Sequence, residues 1–304
     1  MKRMEHYTSS MHIHVRYYVY EPKVILRVKG VVQIHHGLCE HADRYEHFAS
    51  YLSNHGFVVV VSDFVGHGKS LIDFEQGYFG KNNGIQNLIS DMYHLQKIIR
   101  GQYPDAPYFM LGVDLGSLLI RKFMSDYGDF IEGAILLGTL SKVERSFIKK
   151  AYLYMMKKWR GPAHKDHRYF ERWQQRLNQL TTHGKNAEWL TSDAHERKKY
   201  LSDPMTHFAY TIQGYYDIIQ VTKEVNSDES IAKIPTYLSV YIGTGEVDPL
   251  SRKIDLLIEK YKKRGIKDLT FHSFEKRHHA LLFETNKKEI YDDILEWLNE
   301  RTYL

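Results

Sequence analysis

The sequence predicts an α/β fold: a mostly parallel central sheet flanked by helices, carrying a helical insertion. Three observations lead there. Short apolar runs alternate with helical stripes through residues 1–140, the rhythm of βαβ units around a parallel sheet. The stretch Tyr108 to Arg121, Y-F-M-L-G-V-D-L-G-S-L-L-I-R, reads as a buried strand, a sharp bend between Gly112 and Gly116, and the start of a helix. The strand pattern then disappears after Leu140 and returns only at Thr236. The core is therefore assigned to residues 1–140 and 231–304, and a helical cap or lid to residues 141–230.

In chain order, residues 12–20, H-I-H-V-R-Y-Y-V-Y, suit a strand, and Glu21-Pro22-Lys23 is expected to turn it back into Val24 to Val28 as an opening hairpin. Val31 to Ile34 suits a strand covered on both faces and leads into His35-His36-Gly37-Leu38-Cys39-Glu40-His41. A helix from Ala42 to Asn54 closes at Gly56. Phe57 to Val61 is a second buried strand, followed by Asp63 and the loop Gly66-His67-Gly68-Lys69-Ser70. Apolar residues at 85, 88, 89, 92, 95 and 99 mark a helix. After the strand–bend–helix unit come a strand at Ile131 to Leu137 and the insertion, which is rich in Tyr, Trp, Lys and His. Thr236 to Ile242, a helix from Arg252 to Lys263, Leu269 to Phe274 and a helix from Lys287 to Arg301 complete the sheet.

Composition narrows the function. With 304 residues, 43% of them hydrophobic, the chain can bury a large core, and nothing suggests disorder. A formal charge of +5, dispersed along the chain, gives no footprint for nucleic acid. The single cysteine, Cys39, excludes an intrachain disulfide. No apolar leader and no run of ~20 apolar residues is present, so a cytoplasmic protein is expected. His12 and His14 share a face of the expected strand, but a lone pair is too little for a metal; no metal and no cofactor are assigned.

Several stretches resemble the monoglyceride lipase and lysophospholipase branch of the α/β-hydrolases, the serine aminopeptidase-like hydrolases. His36-Gly37-Leu38-Cys39-Glu40-His41 with Arg44 and Tyr45 is similar to that family's H-G-x-G-E-H-x-x-R-Y, and Asp63 to Ser70 to its D-x-x-G-H-G-x-S. Glu188-Trp189-Leu190-Thr191, Asp203-Pro204 and Gly214-Tyr215-Tyr216-Asp217 resemble cap motifs. Gly243 to Pro249 resembles the loop that carries the acid, and His279 with Glu284-Thr285-Asn286 the segment that carries the histidine. The resemblance implies a carboxylic ester hydrolase of single-chain, lipid-like esters. Its catalytic positions would be Asp114, Asp248 and His279, with the backbone N–H groups of Leu38 and Leu115 as the oxyanion hole. His278 is the rival base and Glu246 the reserve acid, while Asp63 and His67 read as loop braces.

The chain departs from the family at the tip of the bend. Where the family has G-H-S-M-G, this chain has Gly112-Val113-Asp114-Leu115-Gly116, with neither the serine nor the histidine before it. Ser117 falls inside the following helix and is no substitute. An aspartate needs no activating base, but its attack on an ester would give an anhydride of higher energy. Three readings remain open: an ester hydrolase lineage with serine-type activity in doubt, a catalytically silent lipid-binding homologue, and an Asp-nucleophile hydrolase of the epoxide hydrolase or haloalkane dehalogenase type. The third would use a cap tyrosine such as Tyr152, Tyr154, Tyr210, Tyr215 or Tyr216 as acid. In the insertion, Ile148, Tyr152, Met155, Met156 and Trp159 fall on one arc of a helix and Lys149, Lys150, Lys157 and Lys158 on the rest. Such a helix either packs as a cap or rests on an anionic membrane.

Overall fold

The computed structural model describes residues 1–23, 27–72, 75–141, 146–181 and 187–302. Eight strands form one sheet in the order β1-β2-β4-β3-β5-β6-β7-β8: β1 Lys2–Thr8, β2 His14–Tyr20, β3 Gly30–His35, β4 Phe57–Ser62, β5 Tyr108–Val113, β6 Gly133–Leu137, β7 Ser239–Gly245 and β8 Leu269–Phe274. The six strands from β4 to β8 across the sheet run parallel, and β2 and β1 are added antiparallel at one edge. Every residue of β3, β4, β5 and β6 is buried, as expected of strands covered by helices on both faces. The covering helices include α1 Glu46–Asn54, α2 Gly84–Gln102, α3 Leu115–Tyr127, α9 Ile254–Arg264 and α10 Lys288–Asn299.

Between β6 and β7 lie α4 Ser146–Arg160, α5 His167–Thr181, α6 Ala194–Ser202, α7 Ile212–Val225 and α8 Asp228–Ala232. α7 packs on both α3 and α4, so the segment that follows the bend at Asp114 also anchors the insertion.

The opening hairpin differs from the expectation. β2 pairs with the preceding segment β1, Lys2 opposite Tyr20 and Thr8 opposite His14, and on its other side with β4. Val24 to Leu26, the first three residues of the expected return strand, lie outside the described residues. β1 is an edge strand with one half-covered face, so its sequence, K-R-M-E-H-Y-T, alternates too weakly to stand out. The shared strand face expected for His12 and His14 is also absent. His12 has a φ of 60° and ends the turn before β2, and only His14 is in the strand.

Candidate functional site

The bend between β5 and α3 is forced by close packing. A Cβ on Gly112 would lie 2.4 Å from the backbone of Gly116, and one on Gly116 would lie 2.2 Å from the carbonyl oxygen of His35. Both positions thus require glycine because other backbone occupies the space. Between them Asp114 takes φ 49° and ψ −110°, a conformation that costs an L-residue energy and is held by its surroundings. Its N–H donates to Leu137 O (3.0 Å), and its carbonyl accepts from Leu118 N–H (3.2 Å) and the Ser117 hydroxyl (2.6 Å). Ser117 is therefore committed to the bend, fully buried, and faces no open site.

Three loops from distant parts of the chain meet at the Asp114 side chain. The first follows β3: Leu38 N–H donates to Asp114 Oδ2 at 3.1 Å. Its shape is set by Glu40, a residue of the His36–His41 motif. Glu40 accepts from Gly37 N–H and from the Tyr45 hydroxyl and pairs with Arg44. The second follows β7 and supplies Asp248, whose Oδ2 accepts from the Ser251 hydroxyl at 2.7 Å and Oδ1 from Leu250 N–H at 2.8 Å. The third follows β8 and supplies His279, whose Nδ1 donates to Asp248 Oδ2 at 2.9 Å. His279 Nε2 then faces Asp114 Oδ2 at 3.8 Å, within reach of an ion pair but longer than a hydrogen bond. Leu115 opens α3, so its N–H has no intrahelical acceptor. Leu38, Asp114, Asp248 and His279 are thus joined by these contacts, and Leu115 directly follows Asp114 in the chain.

His278 pairs with Glu284 instead, at 3.2 Å, and Glu246 is engaged with Lys276 N–H. Asp63 accepts from Ala42 and Lys69 N–H and from Arg16, and His67 is hydrogen-bonded to the Tyr210 hydroxyl. Two of the tyrosines named as a possible acid have partners for their hydroxyls. Tyr152 bonds Asp166, and the Tyr210 hydroxyl is committed to Cys39 N–H and His67. Tyr200, which the sequence did not single out, lines the small cavity beside Asp114, together with Leu38, Val113, Trp173 and Trp189. Trp189 covers the imidazole, its ring centroid 5.2 Å from that of His279, and its Nε1 donates to Gln174 at 2.8 Å. Cys39 also lines this cavity. Burial pushes its thiol well above the usual range, so it stays protonated, donating to Phe208 O at 3.1 Å.

Electrostatics make the site unlike one armed with serine. Burial alone would lower the His279 pKa, but Asp248 and Asp114 on either side outweigh it and push the pKa up to about 10. Burial likewise works to raise Asp248, and the imidazolium, Ser251 and Leu250 N–H together hold it below the ordinary value. At neutral pH the imidazole is thus a cation between two carboxylates, with its proton on the nitrogen that would have to accept one. Asp114 Oδ1 and His279 Nε2 are both buried without a hydrogen-bond partner. Among the described residues no group of three or more His, Cys, Asp or Glu is arranged to hold a metal ion.

The comparisons with known proteins bear on the family and the fold. The family model described as serine aminopeptidase, S33, a hydrolase family, matches residues 27–286. The chain is 27% identical to a monoglyceride lipase homolog of Monkeypox virus over 92% of both chains. It is 28% identical to the monoglyceride lipase of Mus musculus over 112 residues, 37% of this chain and 35% of that one. A thermostable carboxyl esterase from Bacillus coagulans superposes with a TM-score of 0.86 at 25% identity, covering 98% of this chain and 97% of that one. With the sheet order, the glycine-framed bend and a family match from residue 27 to residue 286, this chain belongs to the serine aminopeptidase, S33, family of α/β-hydrolases, on its monoglyceride lipase-like branch.

Proposed function

We propose that this chain is a monoglyceride lipase-like hydrolase homologue that binds a single-chain, lipid-like ligand and has lost serine-type ester hydrolysis. One observation carries the reading: Asp114 Oδ2 lies on Leu38 N–H and opposite His279 Nε2. A serine enzyme needs that amide free for the developing oxyanion and that nitrogen unprotonated as the base. Here the carboxylate takes the amide and holds the proton on the imidazole. Residues 141–230 act as the cap, and Trp173, Trp189 and Tyr200 from it close over the site. In the test, the parent protein is expected to take no label from a fluorophosphonate probe and to hydrolyse neither p-nitrophenyl esters nor monoacylglycerols above background. Labelling at any serine would overturn the reading.

The Asp-nucleophile reading keeps one favourable observation, the unpartnered Oδ1 of Asp114. No tyrosine named for it from the sequence lines the cavity. An epoxide or haloalkane that left an alkyl ester on Asp114 would support it.

The cap also offers a face for an anionic membrane. On α4, Phe147, Ile148, Met155 and Trp159 are 84%, 65%, 60% and 70% exposed, with Lys150, Lys157, Lys158 and Arg160 on the same helix. Met156 turns inward, and Leu153 is fully buried, so the outward arc is narrower than the sequence implied. No helix of the described residues is long and apolar enough to cross a membrane. Replacing Met155 and Trp159 together by Glu removes two apolar anchors and adds two like charges. It is expected to cut partitioning to vesicles containing phosphatidylglycerol by about tenfold or more in a sedimentation assay. Unchanged partitioning would contradict the assignment.

A further inference from the structure

We infer that the head group accepted at Asp114 is a hydrogen-bond donor carrying positive charge, so that the preferred ligand is a single-chain amphiphile ending in a primary ammonium, and fatty carboxylates are excluded. This rests on the reading of the site as one that binds without turnover. The starting point is what remains unpaired. Asp114 is among the residues that line the cavity; its Oδ1 is buried and has no partner, while Oδ2 is taken by Leu38 N–H. A ligand arriving there meets an acceptor.

The charges agree. Around the cavity, two acidic side chains, Asp114 and Asp248, flank one imidazole, His279, and Glu40 is matched by Arg44. Acidic groups outnumber basic ones by one. A fatty acid, which would need the Leu38 amide and a cation, finds the first occupied by Asp114 Oδ2 and the second already between two carboxylates. An ammonium group finds a free charged acceptor, and buried charge-assisted bonds of this kind are the strong ones. The indole of Trp189 and the rings of Trp173 and Tyr200 form an aromatic wall around the same space, which suits a cation and resists an anion. The cavity is small, about 10 Å³. It therefore favours a primary ammonium, close to water in size, over a bulky quaternary one that has no N–H to donate.

The experiment measures quenching of tryptophan fluorescence, since Trp173 and Trp189 line the cavity, by dodecylamine, dodecan-1-ol, dodecanoate and dodecyltrimethylammonium below their micellar concentrations at pH 7.5. Dodecylamine is expected to bind about tenfold or more tightly than either dodecanoate or the trimethylammonium compound, with the alcohol between. In Asp114→Asn the ratio of amine to carboxylate should fall to about threefold or less. If that variant does not fold, Asp114→Glu keeps the charge, but its longer side chain fills the cavity, and amine binding should be lost. Dodecanoate binding as tightly as dodecylamine, without ester hydrolysis, would overturn the head-group assignment and leave the binding reading standing. An amine preference that survives in both variants would place the amine elsewhere and overturn it too. Hydrolysis of p-nitrophenyl dodecanoate by the parent chain would instead remove the reading beneath it.

Discussion

The double variant Asp114→Ser, Val113→His is expected to hydrolyse p-nitrophenyl esters and short monoacylglycerols about 10³-fold or more faster than the parent chain. Three parts of the apparatus are already in place. His279 is oriented by Asp248 at 2.9 Å, Leu38 N–H points at the bend, and α3 presents its N-terminus behind position 114. A serine there would release the Leu38 amide for the oxyanion. It would also remove one of the two carboxylates that hold the imidazole protonated, so the His279 pKa falls towards the range in which a base works at neutral pH. Val113 is buried beside the cavity, and the histidine restores the residue the family carries there. Burst kinetics with p-nitrophenyl esters check the outcome. A variant that folds and shows no gain would mean that the inherited base and oxyanion donor are no longer in register.

A second large effect is expected in stability against pH. His279 has its folded-state pKa raised to about 10 from the ordinary 6.5. Its ion pairs therefore contribute fully below about pH 6.5, and the contribution declines as pH rises and is lost above about pH 10. At 1.4 kcal/mol per unit the amount at stake is roughly 3–5 kcal/mol, an upper bound for so buried a group. The folded state binds more protons than the unfolded chain in this window, so stability falls with rising pH. Asp248 adds the opposite limb: held below its ordinary value, it contributes above that value and loses the contribution as pH falls through its folded one. Asp114→Asn removes one carboxylate and should flatten the alkaline limb. Melting temperatures of the parent and of this variant, taken from pH 6.5 to pH 10, should converge at the alkaline end. Parallel curves would show that Asp114 does not hold the proton.

Much of this was readable in the sequence, for physical reasons. β3, β4, β5 and β6 are buried on both faces and so appear as unbroken apolar runs, and the glycines at 112 and 116 mark the bend because nothing larger fits. Asp114, Asp248 and His279 lie just beyond strand ends, where a parallel sheet gathers its loops. What escaped depended on contacts that no local pattern encodes. β1 is half exposed and relies on β2 for its pairing. β7 begins at Ser239, three residues after the expected Thr236, because Pro235 and the turn after it precede the ladder. Tyr200, on α6, lines the cavity, whereas of the tyrosines that the sequence offered Tyr152 is spent on Asp166 and Tyr210 on His67. That Asp114 would sit on the Leu38 amide could be seen only once the bend and the loop after β3 were brought together.

The most direct measurement is the titration of the His279 ring nitrogens by NMR in protein labelled with ¹⁵N-histidine. An imidazole shared by Asp248 and Asp114 should remain doubly protonated well past pH 8 in the parent chain and titrate at lower pH in Asp114→Ser. A His279 that releases its proton at or below pH 7 in the parent would contradict the account, because the site would then hold a working base beside an unpaired carboxylate.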